Sequence, residues 1–271
     1  KVNIIPIKTL IKLLLKILAN SPRLLKEVYI KSKLLTLRKI YHKKFYEKSL
    51  KFNDEYSYYY LDPMPKENFL GDYYNSVYWK MRPERIEKNF VRDRDFRHMN
   101  LIQKHILENF KNKKCNVLNF GSGHAGISLL LRSNNHNVYN FDYIIPRKLF
   151  FKDNYKFINK FEDIQSNLKF DIIYSSHSLE HLTDVFPILK KFKEYSHKDT
   201  CYFFEVPNGY NQNRISPPHT LYFTRDFFEK VFSKKENDRL YFNYIHKDNL
   251  DYNEDVTGGV INIITNNSLK I

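Results

Sequence analysis

The sequence contains little cysteine, and its position favours neither disulfide nor zinc chemistry. Only Cys115 and Cys201 occur in the 271 residues, each at the edge of an apolar, strand-like run. Two such residues do not make a disulfide framework, and no cluster of cysteine and histidine has zinc-finger spacing. We therefore expect two small core residues and a reduced, cytoplasmic setting.

Acidic residues are scarce in the first 51 positions. This segment has 14 lysines and arginines against two acids, Glu27 and Glu47, so it holds a net charge of +12 out of the chain's +15. The rest of the chain therefore carries only about +3. A site that modifies nucleic acid normally lies in its own positive field, so this distribution argues against a nucleic-acid partner.

A long uninterrupted apolar run is also missing. Residues 4–18, IIPIKTLIKLLLKIL, are interrupted by Lys8, Lys12 and Lys16, which fall on one side of a helix. The span is too short and too charged for a transmembrane helix, and no small-residue cleavage site follows it. Two interpretations stay open: a basic helix lying on an anionic membrane surface, or a helix packed on the body or on a second subunit.

A second basic helical stretch follows, with Ser21 as its cap and Pro22 at its first position. Residues 56–65, rich in tyrosine and proline, favour a linker or an irregular wrap. We expect a basic helical extension over residues 1–60 and a catalytic domain over residues 61–271.

Apolar runs alternate with helical patterns from Cys115 onward. This alternation predicts an α/β fold: a doubly wound, Rossmann-like, seven-stranded and mostly parallel sheet with an N-terminal helical extension. The predicted strands are 115–120, 138–143, 155–159, 170–176, 200–206, 238–245 and 260–265.

The stretch NVLNFGSGHAG, residues 116–126, joins a predicted strand to a predicted helix through two glycines. Glycine lets the backbone approach a ligand closely, and the free N–H groups at the helix start face that ligand. No lysine follows the glycines to meet phosphates. About 20 residues later the strand VYNFDY ends in Asp142, whose carboxylate can accept both hydroxyls of a ribose.

Further segments follow in register with this turn. An acidic pair after the third strand can receive an adenine amino group, and polar residues end the fourth strand. A fifth strand ends in a Pro-Asn-Gly turn, and a histidine precedes the next helix. These segments are Phe161-Glu162-Asp163, FDIIYSSHSLEHL (170–182), YFFEVPNG (202–209) and PPHTLYFT (217–224), the last with Thr224 as helix cap.

One aromatic segment has two interpretations. Residues 73–83, YYNSVYWKMRP, precede a helical pattern over 90–110 that carries three arginines. The segment either lies over a cofactor pocket, with aromatics stacking on a base and an arginine meeting a carboxylate, or packs an extension against the domain.

Together these features resemble the class I S-adenosylmethionine-dependent methyltransferases. The resemblance is specific to the subgroup with Leu-Glu-His after the fourth strand, Glu-Val-Pro-Asn at the fifth and His-Thr-x-x-Phe-Thr/Ser beyond it. It covers roughly residues 70–265 and implies S-adenosylmethionine as cofactor. The family usually has an acid where this chain has Asn119. The cofactor-binding residues that the resemblance implies are Asn119, Phe120, Gly121, Ser122, Gly123, Asp142, Tyr143, Glu162, Asp163, Ser175 and Ser176.

Catalysis by such an enzyme mainly requires an acceptor aligned with the activated methyl group. A hydroxyl acceptor also benefits from a general base with a pKa near neutral, and His177, His181 and His219 compete for that role. His177, Glu180 and His181 have a spacing that a metal would accept, but no further ligand is evident, so we expect no metal.

The sequence thus predicts methyl transfer to a small-molecule or saccharide acceptor, preferably at a hydroxyl. The saccharide follows from analogy at the level of the family. The alternatives are an RNA or protein methyltransferase that uses the basic N-terminal arm, and a catalytically inactive cofactor-binding scaffold. We expect a cytoplasmic protein without a nucleic-acid partner, with peripheral membrane contact through residues 4–18 left open. The oligomeric state is not indicated.

Overall fold

The computed structural model describes most of the chain. The segment over residues 4–18 lies outside the described part. Within the described residues, no helix is long and apolar enough to cross a membrane. The described residues are 21–82, 91–108, 110, 113–143, 156–211, 214–233, 240–246, 249–253 and 259–271.

The helices bury one apolar side against the sheet or against each other. In α4, for example, Ile127 and Leu131 are buried four residues apart. A five-residue π-helical turn extends each of α2 and α3. The helices are α1 (Pro22–Tyr46), α2 (Glu67–Tyr73), α3 (Asp93–Ile102), α4 (Gly126–Ser133), α5 (Phe186–Glu194) and α6 (Arg225–Val231).

The strands follow the apolar runs of the sequence in the central part of the chain. They are β1 (Ser49–Asn53), β2 (Tyr58–Asp62), β3 (Asn116–Phe120), β4 (Asn137–Phe141), β5 (Lys156–Ile158), β6 (Phe170–Ser176), β7 (Ser196–Pro207), β8 (Leu221–Phe223), β9 (Leu240–His246), β10 (Asn249–Asn253) and β11 (Val260–Thr265).

The main sheet has the order β10-β9-β11-β7-β6-β3-β4-β5. Five neighbouring strands of this sheet pair in parallel, in the order β7-β6-β3-β4-β5. Strand β11 pairs antiparallel with both β7 and β9. The predicted Rossmann-like, mostly parallel architecture is confirmed. Within the described residues the sheet holds eight strands, not the predicted seven. The edge strand β10, NLDYN, was missed because it is too polar to form an apolar run.

A second, antiparallel sheet has the order β1-β2-β8. Residues 58–60 pair with residues 221–223, more than 160 positions away. The predicted linker over 56–65 is therefore wrong for β2, since pairing with a distant strand satisfies its backbone. The predicted domain boundary after residue 60 falls within β2, and the division into two domains stays a prediction.

Helix α1 packs on the body through its C-terminal half. Its predicted cap is present, with the Ser21 hydroxyl accepting a hydrogen bond from the Leu24 N–H at 3.4 Å. Near the other end, Phe45 is fully buried against Leu61 of β2 and Tyr222 of β8, two strands of the second sheet. An apolar cluster thus attaches the C-terminal end of α1 to the rest of the described structure.

The main sheet separates two apolar cores, one on each face. Successive residues of β7 alternate between them, with Phe203 in one core and Phe204 in the other. Cys115 and Cys201 are buried in the same core as Phe203, and both are free thiols. The expectation of two small core cysteines is confirmed.

Thr224 caps α6 and joins it to the β1–β2 hairpin. Its hydroxyl accepts from the Phe227 N–H at 3.3 Å and donates to the Ser57 carbonyl at 2.5 Å. We expect Thr224→Ala to lower the free energy of unfolding by about 2 kcal/mol, from the lost cap and the buried carbonyl left without a donor. Urea denaturation measures this loss. Thr224→Ser keeps the hydroxyl, so an equal loss in that variant would contradict the assignment.

Candidate active site

The carboxyl ends of β3, β4 and β6 meet at one edge of the main sheet. A cavity of about 800 Å³ opens there. Open α/β sheets bind their ligands at this position. Its walls come from the turns after these strands, from α2 with its π-helical turn, and from the loop before β8.

Most of the predicted site residues line this cavity. They come from four separate segments of the chain, which the parallel topology brings together. The predicted residues that line it are Phe120, Gly121, Ser122, Gly123, Asp142, Tyr143, Ser176, His177, His181 and His219.

Asn119 does not line the cavity. Its side-chain amide donates to the Ser128 hydroxyl at 2.8 Å and lies 3.3 Å from Asn140 Oδ1, so it contacts α4 and β4. Neighbouring residues of a strand face opposite sides, and it is Phe120 that reaches the cavity. The expectation that Asn119 takes part in hydrogen bonding around the cofactor is at odds with this placement.

Glu162, Asp163 and Ser175 also lie outside the cavity lining. Glu162 and Asp163 are exposed because Phe161, beside them, points inward and stacks on Phe141 with ring centroids 4.4 Å apart. Ser175 is buried in β6. Their assignment to the cofactor stays a prediction, without support from the geometry.

The glycine turn after β3 is shaped for close approach. Gly121 and Gly123 have φ of +67° and +54°, in the left-handed region that glycine tolerates. The Gly123 N–H donates to Asp142 Oδ2 at 2.8 Å, which fixes the turn against the end of β4. The buried Ser122 hydroxyl has no hydrogen-bond partner among the described residues. The turn therefore offers a polar surface at the cavity that a ligand can approach closely.

The aromatic segment after α2 forms one wall. Tyr74, Tyr78 and Trp79 line the cavity, and a Cβ added to Gly123 would meet the Trp79 ring at 3.3 Å. Tyr73, one residue earlier, contacts His42 of α1, with Nε2 and the phenol oxygen 3.2 Å apart. The segment thus borders the cavity and also packs against α1, while stacking of its aromatic rings on a base stays a prediction.

Glu205 of β7 is the centre of a buried charge network below the cavity. It receives hydrogen bonds from His98 Nε2 at 2.6 Å and from the Ser176 hydroxyl at 3.0 Å. Arg94 Nη1 and His177 Nε2 lie 3.5 and 3.2 Å from Oε1. Burial alone would raise the pKa of Glu205, but these histidines hold the pKa well below its usual range. Glu205 is therefore an ionised buried carboxylate.

His177 bridges two buried carboxylates. Its Nδ1 lies 3.1 Å from Glu180 Oε1 and its Nε2 lies 3.2 Å from Glu205 Oε1. Burial lowers the pKa of His177, but the bonds to Glu180 and Glu205 outweigh it and raise the pKa to about 9. The ring is charged at neutral pH, so it has no lone pair with which to accept a proton. The backbone of His177 has a φ of +50°, unfavourable for a non-glycine residue, and the contacts with the two carboxylates help to maintain it.

His181 and His219 form a pair of neutral rings beside Glu180. Their ring centroids are 5.0 Å apart, and both line the cavity. Burial lowers the pKa of His181, and burial together with His181 lowers the pKa of His219 to about 3. The pKa of Glu180 is lowered to about 2, since the neighbouring histidines outweigh its burial. Two neutral imidazoles and one carboxylate thus meet at the cavity.

Sequence reasoning assigned no role to Glu205 or His98, and it gave Arg94 only a possible role, as one of three arginines that could meet a carboxylate of the cofactor. The Glu-Val-Pro-Asn segment was noted only as a motif. The signal for Glu205 is a carboxylate in an otherwise apolar run that is buried on both faces, where an acid requires buried partners. The signals for His98 and Arg94 are weaker, since they lie more than 100 positions from Glu205.

Residues 90–249 match the model of a protein family described as a methyltransferase domain. This match spans more than half of the chain. The chain belongs to this methyltransferase family. It is a class I methyltransferase, and S-adenosylmethionine is its cofactor.

Solved structures similar to the methyltransferase share low sequence identity with it. Magnesium protoporphyrin IX methyltransferase from Synechocystis PCC 6803, with bound SAH, is 12% identical, covering 75% of this chain and 100% of that one, with a TM-score of 0.48. A 1,6-didemethyltoxoflavin-N1-methyltransferase from Burkholderia thailandensis is 13% identical, covering 81% and 99%, with a TM-score of 0.49. No curated protein matches the chain.

The cavity of the methyltransferase fits its cofactor. The glycine turn can take a group that approaches the backbone, Ser122 offers a hydroxyl without a partner, and Asp142 lines the cavity at the end of β4. S-adenosylmethionine supplies a methyl group that its sulfonium sulfur has already activated. The task of the protein is to orient the two reactants and exclude water.

Gly121→Ala tests the turn. A Cβ at this position would overlap the side chain of Ser178, and the positive φ is strained for alanine. We expect a loss of about 1–2 kcal/mol in the free energy of unfolding and at least tenfold weaker cofactor binding, since the turn must shift. Thermal unfolding and titration calorimetry measure the two effects.

Gly71→Ala is the matched control for stability. Gly71 lies within α2, and a Cβ there meets nothing within 4 Å. We expect an unchanged or higher free energy of unfolding, by up to about 1 kcal/mol. If both variants behaved alike, the special role of the turn would be contradicted.

Proposed function

We propose that the methyltransferase modifies a hydroxyl group of a small-molecule or saccharide acceptor. The observation that carries this proposal is the pair of neutral histidines at the cavity. The Nδ1 atoms of His181 and His219 have no hydrogen-bond partner among the described residues. An acceptor hydroxyl is the group that such rings can orient and deprotonate.

His181 is the base of the proposed reaction. Its pKa is lowered by burial, so the ring is neutral and can take the proton of the acceptor. The pKa of His219 is about 3, which makes it a weaker base and a better acceptor-orienting residue. His177, the third predicted candidate, is charged and instead supports Glu180 and Glu205 from between them.

The cofactor half of the cavity has proposed roles as well. The turn from Gly121 to Gly123 would hold the methionine part, and Asp142 would accept from the ribose hydroxyls. Arg94 lines the cavity and its Nε has no hydrogen-bond partner among the described residues, so it is placed to meet a carboxylate. Tyr143, about half exposed at the rim, would border the base.

The direct test is a methyl-transfer assay with labelled S-adenosylmethionine. The acceptors are hydroxyl-bearing nucleotide sugars, lipid-linked glycans and phenols, with matched amines as the comparison. We expect label on an oxygen of one hydroxyl class, and a rate in His181→Gln at least 100-fold lower. Label on nitrogen alone would contradict the proposed acceptor.

The competing functions make different predictions. An RNA methyltransferase would bind RNA with steep salt dependence that is lost on deleting residues 1–51. An inactive scaffold could bind the cofactor without transferring methyl to any acceptor, and a fold without the cofactor site would show no binding at high micromolar S-adenosylmethionine. The near-neutral body and the well-formed cavity favour the small-molecule enzyme.

We propose that the enzyme is cytoplasmic and that its basic extension holds it at an anionic membrane surface. The N-terminal half of α1 exposes lysines together with the apolar or aromatic side chains of Val28, Tyr29 and Ile30. Flotation with anionic vesicles tests this. Equal flotation of a chain lacking residues 1–20 would contradict a contact through residues 4–18.

A further inference from the structure

We propose that Glu180, His181 and His219 bind a divalent transition-metal ion at the floor of the cavity. One donor atom from each of the three residues lies within 4.8 Å of the other two. This set differs from the one that helical spacing indicates, His177 with Glu180 and His181, because His219 arrives from the loop before β8. The proposal departs from the expectation of an enzyme without metal.

Each of these three residues has a buried polar atom without a hydrogen-bond partner among the described residues. Glu180 Oε1 accepts from His177 at 3.1 Å, but Oε2 has no hydrogen-bond partner among the described residues. Glu180 is only 1% exposed, so this oxygen is not satisfied by bulk water. The Nδ1 atoms of His181 and His219 lack partners as well. Buried polar atoms without partners, on three residues whose ligand atoms cluster within 4.8 Å, are what a cation can satisfy.

The chemistry of the set selects the kind of ion. Two neutral imidazoles and one carboxylate are the ligands of catalytic zinc and of other first-row transition ions, whereas magnesium and calcium prefer oxygen alone. Zinc ligands lie about 2.0–2.2 Å from the ion, and tetrahedral ligands at that distance are about 3.4 Å apart, so donors up to 4.8 Å apart would each move by up to about 0.8 Å to close on it.

The ion would have a position left for substrate. Three protein ligands leave the fourth position of a tetrahedral site open, and this opening faces the cavity, which all three residues line. An acceptor hydroxyl bound there would have a lower pKa and would release its proton to water. This role rests on the proposed methylation of a hydroxyl group and is an alternative to proton transfer by His181, because His181 and His219 would then be ligands of the ion.

Cobalt binding tests the site without substrate. The full chain, freed of metal with a chelator, is titrated with Co²⁺, and visible d–d absorption reports the geometry and stoichiometry. We expect one equivalent bound, displaced by Zn²⁺. His181→Ala and His219→Ala should each weaken Co²⁺ binding by at least about 100-fold. This loss exceeds the one expected for a residue that only hydrogen-bonds to a metal ligand. His197→Ala, in a histidine remote from the cavity, should leave binding unchanged.

A second variant keeps the test independent of folding. Cysteine is also a metal ligand, so His219→Cys should still bind Co²⁺ and should add a thiolate-to-cobalt charge-transfer band. A structural role for His219 would not produce this band. Calorimetry with S-adenosylmethionine shows whether each variant is folded and still binds the cofactor. His177→Gln should retain the metal, because His177 is not in the proposed set.

The outcomes separate this proposal from the proposed function. Binding of Co²⁺ through His181 and His219 supports the site even where no hydroxyl acceptor is methylated. The metal site would be overturned if the chain methylated a hydroxyl but bound neither Co²⁺ nor Zn²⁺ at millimolar concentration. The proposed function, with His181 as the base, would then stand. Loss of cobalt in His177→Gln but not in His219→Ala would also overturn it.

Discussion

Replacing Asp142 by alanine is expected to weaken the binding of S-adenosylmethionine by about 100-fold. A carboxylate that accepts two hydroxyl hydrogen bonds contributes on the order of 3 kcal/mol, since bonds to charged groups are worth about 1.5–3 kcal/mol each. The same variant removes the acceptor of the Gly123 N–H, now held at 2.8 Å, so the glycine turn loses its anchor to β4. Titration calorimetry measures the affinity directly.

The control for this variant is Asp199→Ala. Asp199 is an exposed acid of β7, and it is not among the residues that line the cavity. The same change of charge should leave the affinity within about twofold, as exposed charges interact weakly at moderate salt. Unchanged affinity in Asp142→Ala would mean that the ribose assignment is wrong, while an equal loss in both variants would indicate an effect of net charge.

Glu205→Gln is expected to cost about 3 kcal/mol in the free energy of unfolding, the usual penalty for breaking one side of a buried ion pair. The variant leaves the Arg94 guanidinium and the charged His177 ring without their shared counter-charge. Chemical denaturation at neutral pH measures the loss. Glu229→Gln removes a half-buried surface pair with Arg225 and should cost less than about 0.5 kcal/mol.

The contribution of Glu205 to the free energy of unfolding also depends on pH in a defined direction. The folded pKa of Glu205 is held well below its usual value by His98 and His177. Its stabilisation is therefore present above the unfolded pKa, about 4.3, and is lost as pH falls toward the folded value. The gap in stability between the wild-type chain and Glu205→Gln should narrow below about pH 4. A gap that widened on acidification would contradict an ionised Glu205.

The sequence predicts those parts of the molecule whose signals are local. Buried parallel strands are continuous apolar runs, and the glycine turn with Asp142 at the end of the next strand follows from spacing alone. The second sheet escapes such reasoning because β2 pairs with β8 across more than 160 residues. No local pattern distinguishes this pairing from a linker.

The roles of the three histidines depend on burial and charge, which the sequence does not show. His177 is charged because two carboxylates reach it, and one of them, Glu205, lies 28 positions away on β7. His181 and His219 are neutral because burial against the cavity wall lowers the pKa of each ring. The same residue type therefore has opposite protonation states within one cavity.

The small β1-β2-β8 sheet has a consequence for redesign. Thr220, next to His219, accepts from the Leu61 N–H at 3.0 Å, and its own N–H donates to the Glu180 carbonyl at 2.8 Å. Backbone hydrogen bonds thus join the N-terminal hairpin, the loop that carries His219 and the segment of Glu180. To transfer acceptor preference from one enzyme to another, the hairpin and the loop would have to be grafted together. The glycine turn and Asp142, the proposed cofactor-binding residues, would be left in place.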